Sequence, residues 1–155
     1  MTRGGSSTHA VQALLRALAA GREVAEIGTA FGEGAIAMAA TAVRVVTVER
    51  DPVRAAIVRE RLAGLQNVEA LEGDAYELLQ ARGPFGLVFA DGESYDWERI
   101  VALLEPGGIL VKDDLTPGCT LDGDPVREFL LRDPRLAAAE ILTTPVTAAI
   151  VAVRR

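Results

Sequence analysis

Carboxylates are the side chains with which this chain could do chemistry, because acidic residues stand at the ends of its short apolar segments. Such segments are typical of buried parallel strands, and ligands bind outside the carboxyl ends of the strands in a doubly wound sheet. Five predicted strands carry or lead into acids at one rim, namely Glu26, Glu49, Asp74, Asp91 and the pair Asp113 and Asp114. For Asp74 the alternative is a purely structural role as the cap of the helix that follows.

A glycine-rich stretch lies next to the first of these acids. Residues 24–34 read as a short buried strand that runs into a tight turn, with glycines at Gly28, Gly32 and Gly34. Glycine lets the backbone turn sharply and lets a ligand approach closely. The helix that follows offers free N–H groups to an anionic group. The spacing Gly-x-x-x-Gly-x-Gly differs from the Gly-x-Gly-x-x-Gly of a dinucleotide-binding loop.

Glu49 follows Gly28 by 21 residues. An acid at about that distance from the glycine loop can accept hydrogen bonds from the two hydroxyl groups of a ribose. A simple surface acid is the alternative, but a Glu at the end of a strand is a poor helix cap. The sequence therefore favours a site for a nucleoside-containing ligand.

Alternating strands and helices must position these residues. Helices are predicted at 8–20, 33–42, 51–64, 74–81, 95–104 and 122–131, and strands at 23–28, 44–49, 67–71, 86–91, 109–111, 136–142 and 148–154. The alternation predicts an α/β fold, a Rossmann-like doubly wound sheet of seven strands. The linker at 143–147 is too short for a parallel crossover, so the last two strands should form an antiparallel hairpin.

Composition narrows the classes of function. The 155 residues suit one domain, and the net charge of −6 argues against a partner that is a nucleic acid. One cysteine, Cys119, excludes an internal disulfide, and one histidine, His9, excludes a His cluster. No apolar run has the roughly 20 residues of a membrane span, and the N-terminus has no apolar signal core, so we expect a cytoplasmic protein. Lys112 is the only lysine beside fifteen arginines.

Four stretches of the chain resemble motifs of the class I S-adenosylmethionine-dependent methyltransferases. They are 26–34 in the glycine loop, 46–52 at the second strand, 72–75 at the third strand and 104–111 at the fifth strand. The resemblance extends from about Ser6 to Arg155. It implies a single methyltransferase domain over residues 1–155, with residues 1–22 as a helical cap. It also implies the strand order 3-2-1-4-5-7-6.

The same resemblance implies a set of residues that bind S-adenosylmethionine. Gly28, Thr29, Gly32 and Gly34 would line the methionine portion and its carboxylate. Glu49 would hold the ribose, and Asp74 with Ala75 would face the adenine. The sulfonium and amine groups of the cofactor are cations, so they fit near the carboxylates of Glu26 and Asp91.

Within that class the chain is most similar to the catechol and caffeoyl-coenzyme A type of O-methyltransferase. Residues 85–91 and 112–118 carry this likeness, which implies that Asp91, Asp113 and Asp114 are ligands of a divalent metal such as Mg²⁺. Three carboxylates suit such a hard cation.

The chain departs from this type at the position of the family's lysine base, where it has Ser94. Lys112 should alternate to another face of its strand, which leaves Glu93, Asp96 and His9 as candidate bases. Tyr95 and Trp97 are interpreted as packing residues of a helix, and the alternative is that they border the acceptor pocket.

These observations predict a methyltransferase that modifies an oxygen of a small-molecule acceptor. The alternatives are a methyltransferase for another acceptor atom, a cofactor-binding module without its own catalysis, and a nicotinamide-dependent oxidoreductase. The glycine spacing and the final hairpin argue against the oxidoreductase. A homo-oligomer, in which a partner chain covers the acceptor site, is also open.

Overall fold

Strands and helices alternate from the first helix to the fifth strand in a computed structural model, which describes residues 7–92 and 95–155. The elements are α1 (His9–Ala19), β1 (Glu23–Ile27), α2 (Glu33–Ala39), β2 (Arg44–Glu49), α3 (Pro52–Leu62), β3 (Val68–Glu72), α4 (Ala75–Gln80), β4 (Phe85–Ala90), α5 (Trp97–Leu103), β5 (Leu104–Leu115), α6 (Pro125–Arg132), β6 (Leu136–Thr144) and β7 (Thr147–Arg154).

The strands form one seven-stranded sheet with the order β3-β2-β1-β4-β5-β7-β6. Strands β1 to β5 pair in parallel, whereas β7 is antiparallel to both β5 and β6. Only Pro145 and Val146 separate β6 from β7, and so short a link can join only antiparallel neighbours. The predicted fold class, strand order and hairpin are confirmed.

Side chains that cap the helices fix most of the predicted starts. The Thr8 hydroxyl accepts a hydrogen bond from the backbone N–H of Val11 at 3.3 Å, and Asp51 caps α3 through the N–H of Arg54 at 2.9 Å. The predicted helix ends are less accurate. Helix α2, for example, ends at Ala39, whereas the sequence predicted an end at residue 42. Two N–H groups, of Thr41 and Ala42, share the carbonyl of Met38 and tighten that last turn.

Strand β5 differs most from its prediction of 109–111, since it extends over Leu104–Leu115. Its pairing with β4 jumps from Leu104 opposite Phe85 to Ile109 opposite Leu87. The residues between them, with Gly107 at φ +81°, make the turn that the Pro-Gly-Gly sequence indicates. The turn is therefore an irregularity inside a longer strand, and it does not precede the strand as predicted.

Both faces of the sheet are covered by helices. Helices α1, α2 and α3 pack on one face through residues such as Leu15, Met38 and Leu62. Helices α4, α5 and α6 pack on the other through Leu79, Ile100 and Leu130. The carboxyl ends of the central strands are left as the place where a ligand can enter. No helix in the described part of the chain is long and apolar enough to cross a membrane.

A buried arginine fixes the segment that follows β5. Arg127 on α6 is 2% exposed and binds both carboxylate oxygens of Glu140, at 2.7 and 2.8 Å. It also donates to the carboxylate of Asp124 and to the backbone carbonyl of Thr116 at 2.7 Å. One guanidinium thereby ties the loop after β5, the start of α6 and strand β6 together.

Arg127→Ala should lower the free energy of unfolding by about 2 to 4 kcal/mol, because it leaves two carboxylates without their cation. The loss should stay below that of a fully buried pair, since the Glu140 side chain is 25% exposed. Urea unfolding at neutral pH measures the change. Arg132→Ala is the matched control, because Arg132 pairs with Asp122 at the surface and its removal should cost less than about 1 kcal/mol. Equal losses in both variants would contradict this account.

Candidate functional site

A cleft of about 210 Å³ lies at the carboxyl ends of β1 to β4. Among the residues predicted to bind the cofactor, those that line it are Gly28, Glu49, Asp74, Ala75 and Asp91. The cleft lies at the carboxyl ends of the neighbouring strands β1 and β4. The order of the strands changes direction between these two, and doubly wound sheets bind ligands at such a topological switch point.

Gly28 must be a glycine because its backbone passes close to the chain after β4. It has φ +88°, and a Cβ atom there would collide with the carbonyl oxygen of Asp91. Its N–H donates to the carbonyl of Val48 at 3.0 Å, while the N–H of Asp91 donates to that of Ile27 at 3.1 Å. These bonds hold the ends of three strands together at the floor of the cleft.

The carboxylate of Glu49 is held in place before any ligand binds. One oxygen accepts the backbone N–H of Asp51 at 2.9 Å, and the other accepts that of Ala30 at 3.2 Å. Each carboxylate oxygen can accept a further hydrogen bond. Glu49 is largely buried and lines the cleft, so its free acceptor sites are available to a ligand there.

Glu26 is buried below the glycine loop. Its carboxyl accepts a hydrogen bond from the Thr47 hydroxyl at 2.5 Å, and that hydroxyl lies 2.5 Å from the hydroxyl of Thr29. A Cβ atom on Gly34 would collide with the Glu26 carboxyl, so the glycine gives this group its room. Burial, and then the charges of Asp91 and other nearby carboxylates, raise the pKa of Glu26 to about 8.

Four of the predicted cofactor residues do not line the cleft, and one of them is the buried Glu26. Thr29 is 3% exposed and uses its hydroxyl on Thr47, Gly32 starts α2 with φ +91°, and Gly34 lies over Glu26. The structure therefore gives them a part in shaping the loop. Their contact with a cofactor stays a prediction, as does that of Glu26.

Asp74 has the structural role that the sequence left open, and it also lines the cleft. Its carboxylate accepts the N–H of Glu77 at 3.0 Å and so caps α4, of which Ala75 is the first residue. Asp74 and Ala75 both border the cleft on the β3 side. The two interpretations are compatible, because a capping carboxylate uses only one of its oxygens.

The rim on the side of β4 and β5 is acidic. Burial, together with the charges of Asp114 and Asp113, raises the pKa of Asp91 to about 7. Burial also raises the pKa of Asp113. Lys112, expected to point to another face, is buried and interacts electrostatically with both Asp91 and Asp113, lowering the pKa of each. Its ammonium group donates to the carbonyl of Asp113 at 2.5 Å.

The three aspartates that the sequence predicts as metal ligands differ in their exposure and position. Asp91 lines the cleft, whereas Asp113 is buried and Asp114 is exposed with φ +61°. Among residues 7–92 and 95–155, no group of three His, Cys, Asp or Glu side chains is placed to hold a metal ion. The Mg²⁺ ligands stay a prediction from the sequence, and no step below depends on a metal.

The candidate bases receive little support. His9 is exposed at the first residue of α1, and Asp96 caps α5 by accepting the N–H of Arg99 at 3.1 Å. Neither lines the cleft. Glu93 and Ser94 lie outside the described residues.

Sequence reasoning missed three polar or small residues that line the cleft, which are Arg50, Tyr76 and Gly92. Two of them had a usable signal, since Arg50 follows Glu49 directly and Tyr76 follows the Asp-Ala step. Tyr95, interpreted as a packing residue, does pack against Trp97 with ring centroids 4.9 Å apart. It also lines the cleft, as the alternative interpretation of the sequence allowed.

The comparisons with known proteins agree with this geometry. A family model described as methyltransferase domain matches residues 25–115. The chain is similar to the cofactor-bound protein Rv0187 of MTB, with a TM-score of 0.80 and 27% identity over 97% of this chain and 82% of that one. It is also similar to the O-methyltransferase TomG of Streptomyces achromogenes in complex with SAM, with a TM-score of 0.80 and 25% identity over 96% of this chain and 81% of that one.

A curated relative is the protein-L-isoaspartate O-methyltransferase of Azorhizobium caulinodans. It is 31% identical over 129 residues, which make up 81% of this chain and 58% of that protein. The chain thus spans little more than half the length of this relative.

The buried carboxyl of Glu26 should make stability depend on pH. Its pKa is about 8 in the folded protein against an ordinary value of 4.5, so between these values the folded state keeps a proton that the unfolded chain has released. The free energy of unfolding should then fall as pH rises, by at most about 1.4 kcal/mol per unit. Glu26→Gln should flatten this fall, most clearly above pH 7, where Asp91 has largely titrated.

Urea unfolding at pH values from about 5 to about 8.5 measures this effect. Glu72→Gln, at the exposed end of β3, is the matched control and should keep the wild-type profile. Parallel profiles for wild type and Glu26→Gln would show that Glu26 is ionised in the folded state.

A calorimetric titration with MgCl₂ tests the metal ligands. Because the described carboxylates form no ligand set, we expect no saturable heat with the free protein at millimolar Mg²⁺. Saturable heat that disappears in the Asp113→Asn, Asp114→Asn double variant would contradict this expectation and support the metal site that the sequence predicted.

Proposed function

Because the chain belongs to the methyltransferase domain family, we propose that it transfers the methyl group of S-adenosylmethionine to an oxygen of a small molecule. The proposal agrees with the resemblance to class I methyltransferases, which the family match and the similar solved structures confirm. The acceptor and its atom belong to the proposal.

The observation that carries the proposal is the fixed carboxylate of Glu49 in the wall of the cleft. Two backbone N–H groups orient it, and its remaining lone pairs suit the two hydroxyl groups of a ribose. Since these bonds exist without a ligand, the ligand does not have to order this side chain when it binds.

The other cleft residues fit the remaining parts of S-adenosylmethionine. The bare backbone at Gly28 allows close approach beside Asp91, whose carboxylate suits a cationic sulfonium or amine group. Asp74, Ala75 and Tyr76 form the wall on the β3 side, where an adenine would lie.

The chain's own contribution to the reaction is to hold two reactants in line and away from water. When bound, S-adenosylmethionine would supply an electrophilic methyl group: the acceptor oxygen would bond to it as the carbon–sulfur bond breaks, S-adenosylhomocysteine would leave as a neutral thioether, and the acceptor's proton would pass to bulk water. Glu49 fixes the ribose end of the cofactor, and Asp91 holds negative charge beside its cationic end. The acceptor would enter from the side of β4 and β5.

A second candidate is methylation of a carboxylate on a peptide or protein. The observation that favours it is the similarity to a protein-L-isoaspartate O-methyltransferase over 81% of this chain. A carboxylate needs no base, which suits a site in which the candidate bases His9 and Asp96 do not line the cleft. The third possibility is a module that binds the cofactor without catalysis. Such a module would have the same cofactor cleft as a methyltransferase but would transfer no methyl group.

Glu49→Gln should weaken the binding of S-adenosylhomocysteine about 10- to 100-fold, because charge-assisted hydrogen bonds to the ribose are lost. Isothermal titration calorimetry measures the affinity. Glu72→Gln is the matched control, since Glu72 is the register partner of Glu49 on β3 but lies outside the cleft, and its affinity should equal that of the wild type.

Absence of binding heat for S-adenosylhomocysteine with the wild-type protein would overturn the proposed function. Binding without methyl transfer to any member of a broad acceptor panel would support the module without catalysis.

A further inference from the structure

The glycine loop between β1 and α2 contains a residue in a strained backbone conformation. Ala30 has φ +48°, in the left-handed region that costs free energy for a residue with a Cβ atom. Its N–H group donates to the carboxylate of Glu49 at 3.2 Å, so the strained residue takes part in the cleft. Such a conformation persists only where the surroundings hold it, and contacts on both sides of Ala30 must therefore fix the loop.

The contact on the N-terminal side of Ala30 lies behind the loop. The hydroxyl of Thr29, the preceding residue, is 2.5 Å from the hydroxyl of Thr47 on β2. Both residues are buried, so water does not compete for this hydrogen bond. The chain is thus fixed directly before Ala30, and the contact after it has to come from elsewhere.

Helix α3 holds the C-terminal side of the loop from the outside. The guanidinium group of Arg61 donates to the backbone carbonyl of Phe31 and to the carboxylate of Glu33, both at 2.6 Å. The side chain of Leu62, next along α3, lies against Gly32, where a Cβ atom would be 3.4 Å from it. The last turn of α3 therefore contacts three successive residues at the junction of the loop and α2.

Both hydrogen bonds of Arg61 come from one nitrogen atom, Nη1. A single donor that bridges a carbonyl of the loop and a carboxylate at the start of α2 keeps these two groups close together. The side chain of Arg61 is 43% exposed, so water weakens the contact, and its contribution to the free energy of unfolding should be small. We expect its effect to be local, on the shape of the loop.

This contact reaches the cleft through the backbone of the loop. Arg61 fixes the carbonyl of Phe31, which limits rotation of the chain at Ala30, and the Ala30 N–H points at Glu49. Without the guanidinium group, Ala30 can relax to a negative φ, which turns its N–H away from the carboxylate. Glu49 would then lose one of the two backbone N–H groups that orient it before a ligand binds.

We propose that Arg61 is a positioning residue for the cofactor, because its guanidinium group holds the glycine loop in the conformation that orients the Glu49 carboxylate. The inference rests on the proposed methyltransferase function. Arg61 does not line the cleft, so its effect on affinity passes through the loop. A glycine at position 30 would adopt the positive φ without strain, and the loop would then need the contact with Arg61 much less.

The test measures the affinity for S-adenosylhomocysteine by isothermal titration calorimetry in Arg61→Met, which keeps an unbranched side chain and removes the donors. Arg61→Lys is the conservative variant, because its one ammonium nitrogen has three donors and can replace Nη1 in both bonds. Arg59→Met is the matched control, since Arg59 lies on the same helix with the same charge but pairs with Glu72 at 3.8 Å.

Arg61→Met should weaken the binding of S-adenosylhomocysteine about three- to tenfold, the size of one neutral hydrogen bond. Arg61→Lys should stay within about twofold of the wild type, and Arg59→Met should bind as the wild type does. When Ala30→Gly is already present, adding Arg61→Met should cost less than about twofold, because the strain that Arg61 holds is gone. A purely structural role of Arg61 would give the same loss with and without Ala30→Gly.

Four outcomes overturn the inference while the proposed function stands. They are equal affinities of the wild type and Arg61→Met, a loss in Arg61→Lys as large as that in Arg61→Met, an equal loss in Arg59→Met, and an undiminished loss when Ala30→Gly is present. Failure of the wild type to bind S-adenosylhomocysteine overturns the proposed function and the inference with it.

Discussion

The rest of the site depends on the carboxyl group of Glu26 buried beneath the glycine loop. Its bond with Thr47, and through Thr47 with Thr29, joins β1, β2 and the loop at one point. The same group excludes a side chain at Gly34, just as the backbone after β4 excludes one at Gly28. The loop is glycine-rich for two reasons. Side chains at Gly28 and Gly34 would collide with the groups packed behind the loop, and a ligand in front of the loop needs a close approach to the backbone. Burying a carboxyl group costs free energy, and this one reduces the cost by remaining protonated.

Charge is distributed unevenly around the cleft. The β2 side presents one carboxylate, Glu49, which backbone N–H groups hold and which Arg54 approaches to 3.9 Å. The β5 side presents Asp113 and Asp114, whose charges raise the pKa of Asp91, and Lys112, whose charge lowers it. A cationic cofactor such as S-adenosylmethionine fits both sides.

Tyr76 of α4 joins the segment before α5 to the body of the protein. Tyr76 accepts the N–H of Asp96 at 2.8 Å, and Arg99 lies 4.6 Å above its ring, so the start of α5 is tied to α4. Arg127 fixes the neighbouring loop after β5 in a similar way. Two rigid contacts thus border the space in which an acceptor would be held, and the cleft is formed before any ligand arrives.

The sequence by itself determined the sheet, its final hairpin and the positions of Gly28, Glu49, Asp74 and Asp91, because strand periodicity, helix caps and glycine turns are local signals. The tertiary structure alone decided which of the predicted residues share one cleft. It placed Thr29 and Gly34 behind the loop, buried Asp113 while exposing Asp114, and left the Tyr95 hydroxyl without a partner. These outcomes depend on the distances between strands that are far apart in the chain, and no pattern of neighbouring residues contains such distances.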